Sequence, residues 1–191
     1  VGDALALLAA YRPGDGPRAA ASVRRTAELL QRSPAPFDRT AFDPGHVTAS
    51  AVVLSPGHDH VLLVYHRRLA RWLQPGGHIE RGDASLAAAA RREVREETGT
   101  VLPEQDTATL VSVDVHEIPP GRDEPRHLHH DFMFAVLTDA EPRHGARGDG
   151  LMWCPLDELE RHGVDEPLMW GVERSLSLER ERQAEEGKGQ R

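Results

Sequence analysis

A glycine turn joined to a helix that ends in clustered carboxylates constrains this chain more than any other feature. Pro75-Gly76-Gly77-His78-Ile79-Glu80 leads through a short loop to Arg92-Glu93-Val94-Arg95-Glu96-Glu97-Thr98-Gly99. With Leu86 as zero and about 100° per residue, Ala87, Ala90 and Val94 fall between about 40° and 100°, an apolar stripe that must face a core. Arg91, Arg95 and Arg92 come at about 140°, 180° and 240°, on the back of the helix. Glu93 and Glu97 land within about 20° of the Leu86 direction and Glu96 at about 280°, so the inward face turns acidic in its last turns.

Like charges at i,i+4 repel, and a helix C-terminus already carries partial negative charge. Gly99 is a natural residue for the helix to end on. A hard divalent cation held by carboxylate oxygens would remove the conflict, and Mg²⁺ takes substrate phosphates as further ligands. The bland alternative is a salt-bridged surface helix with Arg92 and Glu96 paired at i,i+4. The inward placement of Glu93 and Glu97, combined with the upstream glycine turn, favours the metal-diphosphate reading.

These residues resemble the signature of the Nudix hydrolase family, G-x5-E-x7-R-E-U-x-E-E-x-G-U, where U is a bulky aliphatic residue. Gly77 fills the first slot, Asp83 the acid slot, and Arg92, Glu93, Val94, Glu96, Glu97 and Gly99 the helical part. The resemblance implies an α/β/α sandwich around a mixed sheet and Mg²⁺-dependent hydrolysis of a nucleoside diphosphate linked to another group, with Mn²⁺ as a substitute ion. It also implies that Glu93, Glu96 and Glu97 hold metal, that Arg92 orients the glutamates, and that the backbone at Gly76 and Gly77 supplies a carbonyl ligand. Three departures stand out. The first acid is Asp83 instead of Glu, eight residues instead of seven separate it from Arg92, and Thr100, followed by Val101, occupies the last aliphatic slot. Asp83 is therefore open to a second reading, as the N-cap of the helix.

With 191 residues the chain suits one domain with additions, and a net charge of −8 argues against a broad basic surface for nucleic acid. Cys154 is the only cysteine, which leaves no intramolecular disulfide and reads as a core thiol. No apolar run is long enough to span a bilayer and no signal-peptide pattern is present, so a cytoplasmic protein is expected. The expected partners are a small nucleotide or diphosphate substrate, with no membrane and no stable nucleic-acid partner.

Residues 2–12 and 17–33 have helical composition around the turn-like Pro13-Gly14-Asp15-Gly16-Pro17, and 1–44 reads as an N-terminal helical extension to a catalytic domain over 45–185, with a disordered tail over 186–191. The extension would cover one side of the sandwich, or serve as a homodimer contact or substrate lid. Strands are expected over 46–54 and 61–65, as a hairpin about the turn 55–59, then over 107–118 and 129–137. A short strand and helix begin at Met152, and a terminal helix spans 166–184.

A second cluster comprises His127, His129, His130 and Asp131, with Asp114, His116 and Glu117 on the preceding strand. It could bind zinc, line a substrate groove or serve structure. Substrate recognition by His116, His129 and Asp131 is the preferred use. The general base is open among Glu96, Glu117 and Glu124. Trp72, Trp153 and Phe132 could stack a base, though packing is the commoner fate of such residues. Glu141 and Asp149 stand where some relatives carry an additional acidic ligand, but the match is too loose for the site. Two other functions compete: a non-hydrolytic nucleotide sensor, and an isoprenoid diphosphate isomerase, for which Cys154 is poorly placed.

Overall fold

A computed structural model describes residues 1–12, 17–100, 102, 108–138 and 150–189, with side chains described through 185 apart from that of 137. The turn at 13–16, Val101, Glu141 and Asp149 lie outside the described residues. Two helices, α1 (Gly2–Ala10) and α2 (Pro17–Arg32), precede strands β1 (Gly45–Leu54), β2 (His60–His66), β3 (Arg71–Leu73) and β4 (Gly76–His78). Helix α3 (Leu86–Thr98), strands β5 (Thr109–Ile118), β6 (His127–Leu137) and β7 (Leu151–Pro155), a 3₁₀ turn (Leu156–Glu158) and helix α4 (Glu166–Gly189) follow.

The sheet is mixed, and β1 lies at its centre. It pairs in parallel with β6 from Gly45↔Leu128 to Leu54↔Leu137, and β5 pairs antiparallel on the far side of β6. The other edge of β1 is shared. Its first half takes β4 at Thr48↔His78 and Ser50↔Gly76, and its end takes β2 at Leu54↔Val61. The expected β1–β2 hairpin is therefore confined to its turn. Beyond that pair β4 occupies the edge of β1, and β2 pairs instead with β7 and β3. Every residue of β1 is buried, as fits a central strand covered on both faces.

Alternation along the strands assigns two cores. Val47, Ala49, Ala51 and Val53 of β1, with Phe132, Phe134 and Val136 of β6, meet Ala89, Ala90 and Val94 of α3 and the N-terminal helices through Leu8, Leu29 and Leu30. Val52, Leu54, Met133 and Cys154 meet Leu168 and Val172 of α4 on the opposite face. The result is an α/β/α sandwich. The N-terminal helices contribute to the first core as plain packing elements, and α2 is further tied to β5 by Arg18 on Asp114 at 3.1 Å and by Ser22, whose hydroxyl accepts the Val115 N–H. Phe132 is fully buried in that core, the packing role expected of it over base stacking. Cys154 is a buried free thiol, as expected. None of the described helices is long and apolar enough to cross a membrane.

Candidate active site

Helix α3 starts where its sequence provides a cap: the Ser85 hydroxyl accepts the Ala88 N–H at 3.1 Å. It stops at Gly99, whose φ of 72° is the left-handed conformation a glycine adopts freely, with its N–H on the Arg95 carbonyl at 2.9 Å. Asp83 is thus not the N-cap. One of its oxygens accepts the Glu80 N–H at 2.8 Å, and the carboxylate takes two hydrogen bonds from Arg92, Nε to Oδ1 and Nη2 to Oδ2, both at 3.0 Å.

Arg92 is the hub of the site. Besides Asp83 it donates to Glu93 Oε1 at 2.6 Å, to Glu96 Oε2 at 3.4 Å and to the His78 carbonyl at 2.7 Å. Helical angle alone put it on the back of the helix, but the 78–83 loop wraps over that side and its side chain is only 11% exposed. Its hydrogen bonds to Asp83 raise the guanidinium above its ordinary value and outweigh burial. Burial acts to raise the Asp83 carboxyl, yet the Arg92 bonds and the Glu80 amide hold it below its ordinary value.

The glycine turn meets the acidic face of α3 directly. Glu93 is 3% exposed and its carboxylate lies against Gly77, where a Cβ would sit 2.7 Å from the carboxyl carbon and 2.8 Å from each oxygen. Glu97 Oε2 accepts the Gly76 N–H at 3.0 Å. Glu96 is partly exposed beside them. Glu93 and Glu97 thus meet a glycine turn that leaves room for no side chain, and Glu96 shares Arg92 with Glu93; their hard oxygens are donors of the kind that suits Mg²⁺ or Mn²⁺. Gly77→Ala should displace Glu93, lowering turnover on the order of tenfold and stability by about 1–3 kcal/mol. Steady-state kinetics with a urea titration checks this, and unchanged values would place the Glu93 carboxylate elsewhere.

The second cluster divides by strand parity. Asp131 is buried and accepts hydrogen bonds from Thr48 and Ser50, while burial raises its carboxyl above the ordinary value against those bonds. His116 bonds Asp114 at 3.1 Å and keeps its side chain 38% exposed. His129 lies between them on the same face, among other imidazoles. His130 points to the opposite face, bonded to Thr26 at 3.0 Å, and so leaves the cluster. Sequence reasoning missed His46, whose ring lies 4.8 Å from that of His129. The signal was available: His46, Thr48 and Ser50 are polar at every second position of a strand whose other residues are apolar. Of the aromatic residues, Trp72 packs edge-on to Tyr65 at 5.2 Å and Trp153 packs partly buried against the first core.

Burial pushes His130 and His78 down to about 4 and His129 down to about 2. The unfolded chain, with ordinary imidazoles, therefore takes up protons first. Their contribution to stability is fully present above about pH 6.5 and is lost as pH falls, toward about 4 for His130 and His78 and toward about 2 for His129. The urea midpoint of the metal-free protein should accordingly fall between about pH 7 and about pH 5. A flat midpoint would mean that these rings are solvated.

The profile of the NUDIX domain matches residues 44–173, and the chain belongs to that family, whose members are hydrolases acting on pyrophosphate bonds and generally using divalent metals. The family match covers β1 through the first turns of α4 and leaves out both N-terminal helices. A comparison with curated protein sequences gives no match. Among solved structures, the NUDIX domain of Shewanella oneidensis NrtR complexed with ADP ribose is 24% identical, with 82% of this chain and 97% of that one covered at a TM-score of 0.51. A C. elegans Ap4A hydrolase binary complex is 16% identical over 69% and 96% of the two chains, also at 0.51. A MutT NUDIX hydrolase from Burkholderia pseudomallei is 22% identical over 67% and 95%, at 0.50. These likenesses concern the fold.

Proposed function

We propose that this chain is a Mg²⁺-dependent pyrophosphohydrolase that cleaves a diphosphate linkage in a nucleoside diphosphate derivative or a nucleoside triphosphate. The observation that carries this reading is the contact of Glu93 and Glu97 with the Gly76–Gly77 turn, with Glu96 held beside Glu93 by the same Arg92. Glu93, Glu96 and Glu97, with the Gly77 backbone carbonyl, would hold the divalent ion. The ion's charge would neutralise phosphate oxygens while water attacks phosphorus and the bridging P–O bond breaks. Arg92 fixes Glu93 and Glu96 by direct hydrogen bonds. Glu96, the most open of its partners on the helix, is the group best placed to accept the proton of the attacking water.

His116, half open at the edge strand, is the substrate-side contact in this reading. Asp131 and His129 would act from behind it, Asp131 by locking Thr48 and Ser50 of β1. ADP-ribose, nucleotide sugars, dinucleotides and nucleoside triphosphates form the substrate panel. Phosphate release after coupled phosphatase treatment, with Mg²⁺, Mn²⁺ or chelator, names the class. Metal-dependent turnover of one class is expected. Nucleotide binding without turnover across the panel would replace this reading with that of a sensor.

A further inference from the structure

A row of imidazoles crosses one face of the sheet near the start of β1, outside the carboxylate site. His46 is the register partner of His129 across the parallel β1–β6 pair, and His127 lies two residues earlier on the same face of β6. His78 of β4 and His116 of β5 extend the row, with ring centroids 5.1 Å from His46 and 5.7 Å from His129 respectively. Four strands each bring histidine to one place. Ring packing against Phe42, 5.0 Å from His127 and 6.4 Å from His46, would account for those two, but aliphatic or aromatic residues would fill these positions without burying polar nitrogens.

The hydrogen bonds of these rings separate packing from ligation. The Nδ1 of His127 lies 2.8 Å from the Pro125 carbonyl and that of His46 3.2 Å from the Ala41 carbonyl. A carbonyl only accepts, so in each neutral ring Nδ1 carries the proton and Nε2 is an acceptor. His127 Nε2 stands 3.2 Å from His129 Nε2. His46 is 0% exposed, and its Nε2 has no hydrogen-bond partner among the described residues. A buried acceptor without a donor is filled by an ordered water or by an ion. Backbone carbonyls holding the far nitrogen are the outer support that metal-ligating histidines ordinarily have.

The geometry points to a transition-metal site formed by His46, His127 and His129, taking a borderline divalent cation of the Zn²⁺ class. One donor atom from each residue lies within 4.8 Å of the others. Nitrogens about 2.0–2.1 Å from a tetrahedral ion stand roughly 3.3 Å apart, a spacing the His127–His129 pair already has. His46 offers the third nitrogen, within 4.8 Å of the other two. The fourth position is left to water or to His78, whose ring lies 5.3 Å from that of His129. Three neutral nitrogens suit zinc and not Mg²⁺, which prefers oxygen, so this site and the glutamate site select different ions. A metal here would staple the segment ending at His46 to the start of β6, next to the loop whose His78 carbonyl holds Arg92.

Metal-free full-length protein titrated with Co²⁺ at neutral pH should develop the intense visible bands of a tetrahedral ion at one equivalent, and Zn²⁺ should abolish them. His127→Gln should weaken Co²⁺ binding at least about 100-fold while its circular dichroism stays native. Glu97→Gln should leave the bands unchanged, which separates this site from the glutamate site. Absence of tetrahedral bands in the folded wild-type protein would overturn the proposal whatever the variants do, and so would undiminished bands in a folded His127→Gln variant.

Discussion

Replacing Glu97 with glutamine should lower turnover on the order of 100- to 1000-fold while leaving the fold intact. The side chain keeps its shape, and its amide oxygen can still accept the Gly76 N–H that Glu97 Oε2 accepts at 3.0 Å. What disappears is one negative charge from a helix end that carries Glu93 and Glu96 as well and already bears the negative pole of its dipole. Stability should therefore hold or rise slightly, because repulsion between carboxylates falls. Activity should drop because a divalent ion loses an anionic ligand, so the loss should be partly recovered at high Mg²⁺. Comparing kcat and KM for the metal with the urea midpoint tests both halves of the claim. Near-normal turnover with native stability would remove Glu97 from the site and with it the metal reading of α3.

Much of this site is legible from local rules. The apolar stripe of Leu86, Ala90 and Val94 and the stop at Gly99 define α3, and Glu93 at the edge of that stripe is buried as its helical angle requires. Features decided by distant partners are not legible in this way. Strands β3 and β4 have three residues each, and the Gly76–His78 strand exists because the edge of β1 pairs with it, not because glycine favours strands. The parallel β1–β6 pairing joins segments far apart in the chain, and no local pattern sets which histidines it aligns. Strand parity, by contrast, could have separated His130 from His127 and His129 in advance, since alternate residues face opposite sides. Arg92 shows the limit of the helical wheel: its angle was right, and the loop that covers that side is what buries it.

That burial makes Arg92 the residue whose loss should cost the fold most. Arg92→Leu should destabilise the protein by about 3–5 kcal/mol, the range for removing one partner of a buried ion pair. The guanidinium serves Asp83, Glu93, Glu96 and the His78 carbonyl at once, and both Asp83 and Glu93 are nearly inaccessible to water. Leucine would leave these carboxylates buried without their counter-charge, a penalty larger than the pairing itself contributes. Lysine should recover only part of the loss. Its ammonium can meet one carboxylate but cannot span the two Asp83 oxygens while also reaching Glu93 and the His78 carbonyl. Asp83→Asn should be milder than either change, since the amide keeps one acceptor for Arg92. The order of urea midpoints should thus be wild type, Asp83→Asn, Arg92→Lys, Arg92→Leu. Turnover should follow the same order, because the guanidinium that holds the 78–83 loop also aims Glu93 and Glu96. An Arg92→Lys variant as stable and active as wild type would show that charge alone, and not the guanidinium fork, holds the glycine loop to α3.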